Sequence, residues 1–454
     1  MSDLASVLRG ARRIARGRSG PRLLPTFPGS PSAPAPQSAA PEPAWEQPPA
    51  PEPTPVPALA PGPATAVGRA SLDDSHCLPA RFVTIKVHQD SPTGFRIEGF
   101  EGGARTFGGQ PSDGAVVAGY DPRRLRLRVE DLQERYSAIQ PVEFIEDFNM
   151  WSLGNRRNAL RRWLNDLRLR HSDLHVIIED GTNLAIPWEA FRLQQPPDHG
   201  DLPCAGWLGA VLPVTRWTPW FGEYVGPSDL DQTIACEGGA IGYFERGLDS
   251  GGADLASLGD FLAGTPHVDE NAFVAALGEP VPPGEKRPAM VYVGAHSEAG
   301  DDRARTSVGP FRLKTMMLYQ DLPRISGGQT IVFVNACNSA EMFTVGHFGD
   351  DSLYGLPDFF LRMGAVGMIG TTSAIGVETA PLVLAEILRA AADDPQAPIP
   401  QLLSRLRAQA DLALGPPPYT NRDIELAWRW IDTFNYVYYG HPLATLRLVS
   451  QRVP

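Results

Sequence analysis

Apolar positions along the chain follow two periods. Residues 81–87, RFVTIKV, alternate as a half-buried strand does, and residues 95–100, 115–118 and 125–129 read as further short strands between Gly, Pro and Asp. Over residues 155–169 the period lengthens: Leu160, Trp163, Leu164 and Leu167 share one face of a predicted helix, and arginines fill the other. Beyond this helix, unbroken runs rich in Val and Ile at 174–178, 290–293, 331–334 and 365–369 have the pattern of strands buried on both faces. Helical stretches are predicted over 311–319, 352–363, 381–391 and 399–414. Strands alternating with helices define the fold class: an α/β protein with a mostly parallel sheet flanked by helices, preceded by a β-rich accessory region.

The pattern is absent at the start of the chain. Leu4, Val7, Leu8, Ala11 and Ile14 fall at helical spacing among Arg9, Arg12, Arg13, Arg16 and Arg18. This basic stretch reads either as a disordered tail or as an amphipathic helix able to touch an anionic membrane or a partner. From Pro28 to Pro63 there are 14 prolines in 36 residues, a composition that cannot bury a core and reads as a disordered, extended linker. The formal charge of −12 counts against direct nucleic-acid binding. No apolar run reaches the ~20 residues needed to span a bilayer, and the basic start lacks the apolar core of a secretory signal. Cys77, Cys204, Cys236 and Cys337 are too few and too widely spaced for a disulfide framework or a zinc site. The expectation is a cytoplasmic protein with free thiols and no metal or cofactor.

Open parallel sheets place their sites beyond the carboxyl ends of the strands. The run AMVYVG leads into His296, and the run TIVFVN leads into Cys337, 41 residues later, a spacing that accommodates one crossover between neighbouring strands. An imidazole at that place can take a thiol proton or stabilise the thiolate, and then return a proton to a leaving amine. Backbone N–H groups of Ser297 and Cys337 are positioned to hold an oxyanion. The competing reading is an inert core cysteine, since cysteine is among the most buried residue types. Asp301, Asp302, Asp350 and Asp351 form two acidic pairs near these loops; they read as solvated loop charge or as a pocket for a basic side chain. His347 reads as a loop residue and His441 as structural.

VYVGAHSE followed by IVFVNACNSAEMF resembles the His and Cys motifs of the CHAT proteases, which are relatives of caspases and separases. LHVIIEDGTNLAIPWEAFRLQ with WLGAVLPVTRW resembles the N-terminal half of that fold, and FFLRMGAVGMIGTTSAI with YVYYGHPLATLRL resembles its C-terminal segments. The resemblance covers roughly residues 155–450. With the composition of the earlier segments, it divides the chain into a basic tail (1–25), a proline-rich linker (26–77) and an accessory region (78–150), read from composition and pattern, and a non-catalytic half (151–288) and a catalytic half (289–454), which the resemblance implies. It implies a Cys-His endopeptidase acting on a protein partner, activated by a partner or ligand in bacterial signalling or antiviral defence. It also places Asn335 where relatives read the substrate side chain, and makes Trp188 and Glu189 structural. Ser297 departs from the Gly that usually follows the catalytic His. The alternative is a catalytically silent CHAT-fold interaction module.

Overall fold

The computed structural model describes residues 81–89, 94–108, 116–117, 141–153, 158–193, 206–219, 221, 230–248, 250–298, 307–312, 321–344, 353–417, 419 and 424–451. The basic tail, the proline-rich linker and the strand expected at 125–129 lie outside these residues.

Among the described residues, eleven strands join in one sheet. In chain order they are β1 (Phe82–Gln89), β2 (Phe95–Glu101), β3 (Ala104–Phe107), β4 (Val116–Val117), β5 (His175–Asp180), β6 (Val214–Trp217), β7 (Ala240–Phe244), β8 (Met290–Gly294), β9 (Ile331–Asn335), β10 (Gly367–Thr371) and β11 (Tyr436–Gly440). Their order across the sheet is β7-β8-β9-β10-β11-β6-β5-β1-β2-β3, with β4 beside β2. Strands β7 to β10 are mutually parallel. Strands β11, β6, β5 and β1 are parallel to one another. The two sets meet antiparallel at β10 and β11, and β2, β3 and β4 extend the far edge antiparallel. The expected mixed α/β fold with a mostly parallel, helix-flanked sheet is the fold observed.

Nine helices are described: α1 (Pro141–Leu153), α2 (Asn158–Arg170), α3 (Leu208–Val211), α4 (Gly251–Leu258), α5 (Glu270–Gly278), α6 (Leu356–Arg362), α7 (Ala380–Asp393), α8 (Ile399–Leu414) and α9 (Ile424–Asn435). Every residue of β8 and β9 is buried, because both faces of these strands are covered. Met290, Tyr292, Ile331 and Phe333 pack with Leu384 and Ile387 of α7 and Leu402 and Leu406 of α8. Val291, Val293, Val332 and Val334 pack on the opposite face with Phe273 of α5 and Phe360 of α6. Each such fully buried side chain stabilises the fold by about 1.5–3 kcal/mol relative to exposure. On the other half of the sheet, Val83, Ile85, Val176 and Ile178 pack beneath α1, α2 and α9.

Several elements differ from expectation. Residues 311–319 were expected to be helical, yet Phe311–Arg312 is a strand pairing with Ser307–Val308; residues 313–319 lie outside the described set. The helix expected over 352–363 begins only at Leu356, after a strand at Leu353–Tyr354, with Pro357 in its first turn, where its missing N–H costs nothing. In α2 two arginines on the face expected to be polar are buried, and Arg161 donates to the Ser152 carbonyl at 2.7 Å in the last turn of α1. The boundary expected between residues 150 and 151 falls within α1, and β1 pairs directly with β5.

The turn after β5 carries the buried charge of this half. Trp188 is fully buried and its Nε1 donates to Asp180 Oδ2 at 3.0 Å. Arg216, on β6, donates through Nε to Glu189 Oε1 at 3.0 Å and through Nη2 to Oε2 at 2.5 Å. Burial alone would raise the Glu189 pKa, but the Arg216 guanidinium outweighs it and holds the carboxyl below its ordinary value.

Candidate active site

β8 and β9 are neighbours, parallel and in register, with Gly294 opposite Asn335 as the last pair. His296 and Cys337 therefore each stand two residues past the same rung, on the same edge of the sheet. A Val/Ile-rich run ending in a small or polar residue explains the local fold: the strand stays buried through Gly294 and Asn335, then opens into a loop at the surface.

The His296 loop is fixed by its backbone. Its N–H donates to Glu245 Oε2 at 2.6 Å, and its carbonyl accepts from Gly309 N–H at 3.1 Å. Glu245 directly follows β7, whose Phe244 pairs with Gly294, and its own N–H donates to the Gly294 carbonyl at 2.9 Å. The imidazole itself is exposed. The Gly309–His296 bond makes Ser297 and Val308 a non-hydrogen-bonded pair, which turns the Ser297 N–H away from that neighbouring strand. Glu245 escaped sequence reading. The available signal was an acid immediately after a third apolar run, AIGYF.

The Cys337 turn is stapled to the end of β10. Thr371 Oγ1 donates to the Ala336 carbonyl at 2.6 Å, Ser339 Oγ accepts from Thr371 N–H at 2.9 Å, and Asn338 N–H donates to the Ser373 carbonyl at 3.1 Å. Asn338 lies in the left-handed region, at φ +54°, a conformation that Asn tolerates better than most residues with a Cβ. Cys337 is half-buried. Its sulfur accepts from Ile375 N–H at 3.5 Å and lies 3.9 Å from the Ile375 carbonyl. Burial pushes the thiol pKa above its ordinary value and the Asp432 carboxylate adds to this, against the Ile375 and Cys337 N–H groups, which favour the thiolate. Among the described residues no hydrogen bond joins the imidazole to the thiol. The two groups share a strand-end position, and burial favours the neutral thiol, which rests against the Ile375 backbone.

Asn335 is 4% exposed, and both ends of its carboxamide are engaged inside the sheet: Nδ2 donates to the Tyr292 hydroxyl at 3.1 Å, and Oδ1 accepts from the Tyr436 hydroxyl at 2.6 Å. That placement gives it partners in the core in place of a position on an open pocket wall. Beyond Tyr292 stands Asp254, fully buried on α4, its pKa raised by burial to about 6. Asp301, Asp302, Asp350, Asp351 and His347 lie outside the described residues. His441 is buried, and its Nδ1 accepts from Leu443 N–H at 3.2 Å. Cys236 is fully buried and its thiol is pushed up to about 12 by burial. Among the described residues no cluster of His, Cys, Asp and Glu has the geometry to hold a metal ion. No described helix is long and apolar enough to cross a membrane.

No protein-family model matches the chain, and no curated protein sequence matches it. Among solved structures it is similar to the Arg-specific cysteine proteinase gingipain R, at 13% identity and a TM-score of 0.38, covering 64% of this chain and 69% of that one. It is also similar to the separase of the Saccharomyces cerevisiae separase–securin complex, at 10% identity and a TM-score of 0.43, covering 81% of this chain and 30% of that one. A third neighbour is the complex of the Porphyromonas gingivalis RgpB pro- and mature domains, at 12% identity and a TM-score of 0.39, covering 71% of this chain and 79% of that one. Of these neighbours gingipain R is described as a cysteine proteinase, and every superposition is low.

Proposed function

We propose that the chain is a cysteine endopeptidase of the caspase-like type, with Cys337 as nucleophile and His296 as acid and base. The observation that carries this reading is the shared rung: two groups able to do thiol chemistry stand at equivalent positions past adjacent parallel strands. In the reaction His296 takes the Cys337 proton and the thiolate attacks the scissile carbonyl. The carbonyl oxygen gains the charge and is held by the N–H groups of Ser297 and Cys337. Collapse forms the thioester and expels the amine, which leaves with the proton from the imidazolium. Water, deprotonated by His296, then releases the acid and restores the thiol.

The neutral, backbone-held thiol describes a resting state, with the imidazole two residues past the same rung. This supports the expectation, implied by the CHAT resemblance, that a protein partner or ligand triggers cleavage of a protein substrate. The setting implied by that resemblance is bacterial cytoplasmic signalling or antiviral defence. The Asp301–Asp302 and Asp350–Asp351 pairs remain the candidate determinants for a basic substrate side chain. A second reading, a silent CHAT-fold interaction module, is favoured by the same absence of a bond between imidazole and thiol and by Ser297 in place of Gly.

Labelling by an iodoacetamide probe separates the two. The endopeptidase reading expects Cys337 to label faster than Cys236 and the other thiols, with His296→Ala slowing it and cutting turnover by on the order of 10²-fold. Labelling of Cys337 that is indifferent to His296→Ala favours the silent module.

A further inference from the structure

The layer of the sheet just beneath the two strand ends is polar where an apolar core would be simpler. Asn335, Tyr292 and Tyr436 are 4%, 0% and 0% exposed, on β9, β8 and the start of β11. Their bonds run in one direction. Tyr436 donates its proton to Asn335 Oδ1 at 2.6 Å, and Asn335 Nδ2 donates to the Tyr292 oxygen at 3.1 Å. Tyr292 keeps its own proton and interacts with the Asp254 carboxylate, neither oxygen of which meets full hydrogen-bond geometry. A Cβ built on Gly294 would stand 3.1 Å from the Tyr292 hydroxyl and 3.3 Å from Asp254 Oδ2, so both groups converge over that rung.

The Tyr436 end is anchored too. The Tyr436 carbonyl accepts from Nη2 of Arg407 at 2.5 Å, and Arg407 is fully buried. The preceding residue, Asn435, donates through Nδ2 to the Ala374 carbonyl at 3.3 Å and accepts from Thr372 N–H at 3.0 Å. These bonds hold the 372–375 segment, whose Ile375 N–H carries the Cys337 sulfur. The Asn435–Tyr436 junction thus grips the cysteine from two sides: through Asn335, two residues before it, and through the loop against which the sulfur rests.

Burying three polar groups in this layer costs stability unless each is bonded, and same-shape apolar side chains can be neutral or more stable. What the Tyr436–Asn335–Tyr292 bonds supply is one defined orientation for the groups they link. Resting on the endopeptidase reading, we propose that Tyr436 is a positioning residue for Cys337, fixing through Asn335 where the thiol stands relative to His296.

The test is a double-mutant cycle on the full chain, read as the rate of Cys337 alkylation by iodoacetamide at pH 7, with thermal unfolding alongside. In the parent, His296→Ala should slow alkylation by about 10-fold, a coupling typical of neighbouring groups. In the Tyr436→Phe background the same change should alter it by less than about twofold. A purely structural Tyr436 would lower the melting temperature and leave the His296 effect at its parental size, which overturns the proposal. Should Tyr436→Phe fail to fold, the triple variant Tyr292→Phe, Asn335→Leu, Tyr436→Phe replaces the whole chain with apolar groups. It should fold and still lack the His296 effect; a parental effect there overturns the proposal equally. A parent protein indifferent to His296→Ala would instead overturn the dyad itself, and this inference with it.

Discussion

The two sets of four parallel strands handle polar groups in opposite ways. In the set β11, β6, β5 and β1, charge is buried and closed: Glu189 and Arg216 form a two-bonded ion pair, and Asp180 is held by Trp188 and Thr182. In the set β7 to β10, His296 is exposed and Cys337 half-buried past the strand ends, and the layer beneath them is bridged by the uncharged side chains of Tyr292, Asn335 and Tyr436, with Asp254 and Arg407 at its two ends. A charge sealed with its partner has nothing left to offer a substrate. A thiol and an imidazole at an open edge, not yet bonded to each other, retain their chemistry. The same strand-and-helix architecture therefore seals paired charge on one side of the β10–β11 seam and leaves a thiol and an imidazole at its strand ends on the other.

The contrast can be broken at either side. Cys337→Ala should abolish proteolysis outright while costing less than about 1 kcal/mol of stability, since the thiol fills no closed core site. Activity assays paired with calorimetry check this, and a loss of several kcal/mol would mark Cys337 as a structural residue. Glu189→Gln acts on the opposite half and should cost about 3–5 kcal/mol, because it removes the carboxylate bonded to the buried Arg216 guanidinium and leaves only the Asp180 charge near it. Urea unfolding measures it; a cost near zero would mean that the ion pair is not sealed from water.

Asp254 gives the contrast a pH dependence. Its pKa is raised from 3.8 to about 6 in the folded state by burial, so between those values the folded protein binds the proton more tightly than the unfolded chain. Stability contributed at this site is thus present below pH 3.8 and falls as pH rises, the penalty being complete above pH 6 and about 3 kcal/mol at most. Asp254→Asn should gain on the parent as pH rises from 4 to 7 in thermal melts; a constant offset would show that Asp254 does not titrate in this range. The smallest effect belongs to Cys236→Ala, which should leave the native alkylation yield unchanged, because burial keeps that thiol neutral. A measurable fall in labelling would put Cys236 within solvent reach.

Much of the stretch from residue 289 onward could be read from sequence because its strands are unbroken apolar runs. The runs at 290–293 and 331–334 predicted β8 and β9, and with them the strand-end places of His296 and Cys337. The helix over 399–414 was read to the residue. Composition patterns failed where a strand carries a buried charge, as β6 does with Arg216, since a charge reads as surface until its partner is known. Arg161 misled in the same way. Asn335 was read as a pocket residue because position alone does not reveal that Tyr292 and Tyr436, 43 residues before it and 101 after it, close over its side chain. Glu245 was missed because its contact is with a backbone N–H, which carries no sequence signature.

The seam strand has a consequence in time. β11 follows every other strand of the sheet in the chain, yet it lies between β10 and β6. Cys337 leaves the ribosome 99 residues before Tyr436, an interval on the order of 5–20 s at ordinary rates of synthesis. Through that interval the two strand sets have no shared rung, each presents a bare edge open to wrong pairing, and the Tyr436–Asn335 bond has not been made. The last strand of this sheet to be synthesised thus joins the two strand sets and brings in the Tyr436 hydroxyl that bonds Asn335, in one event.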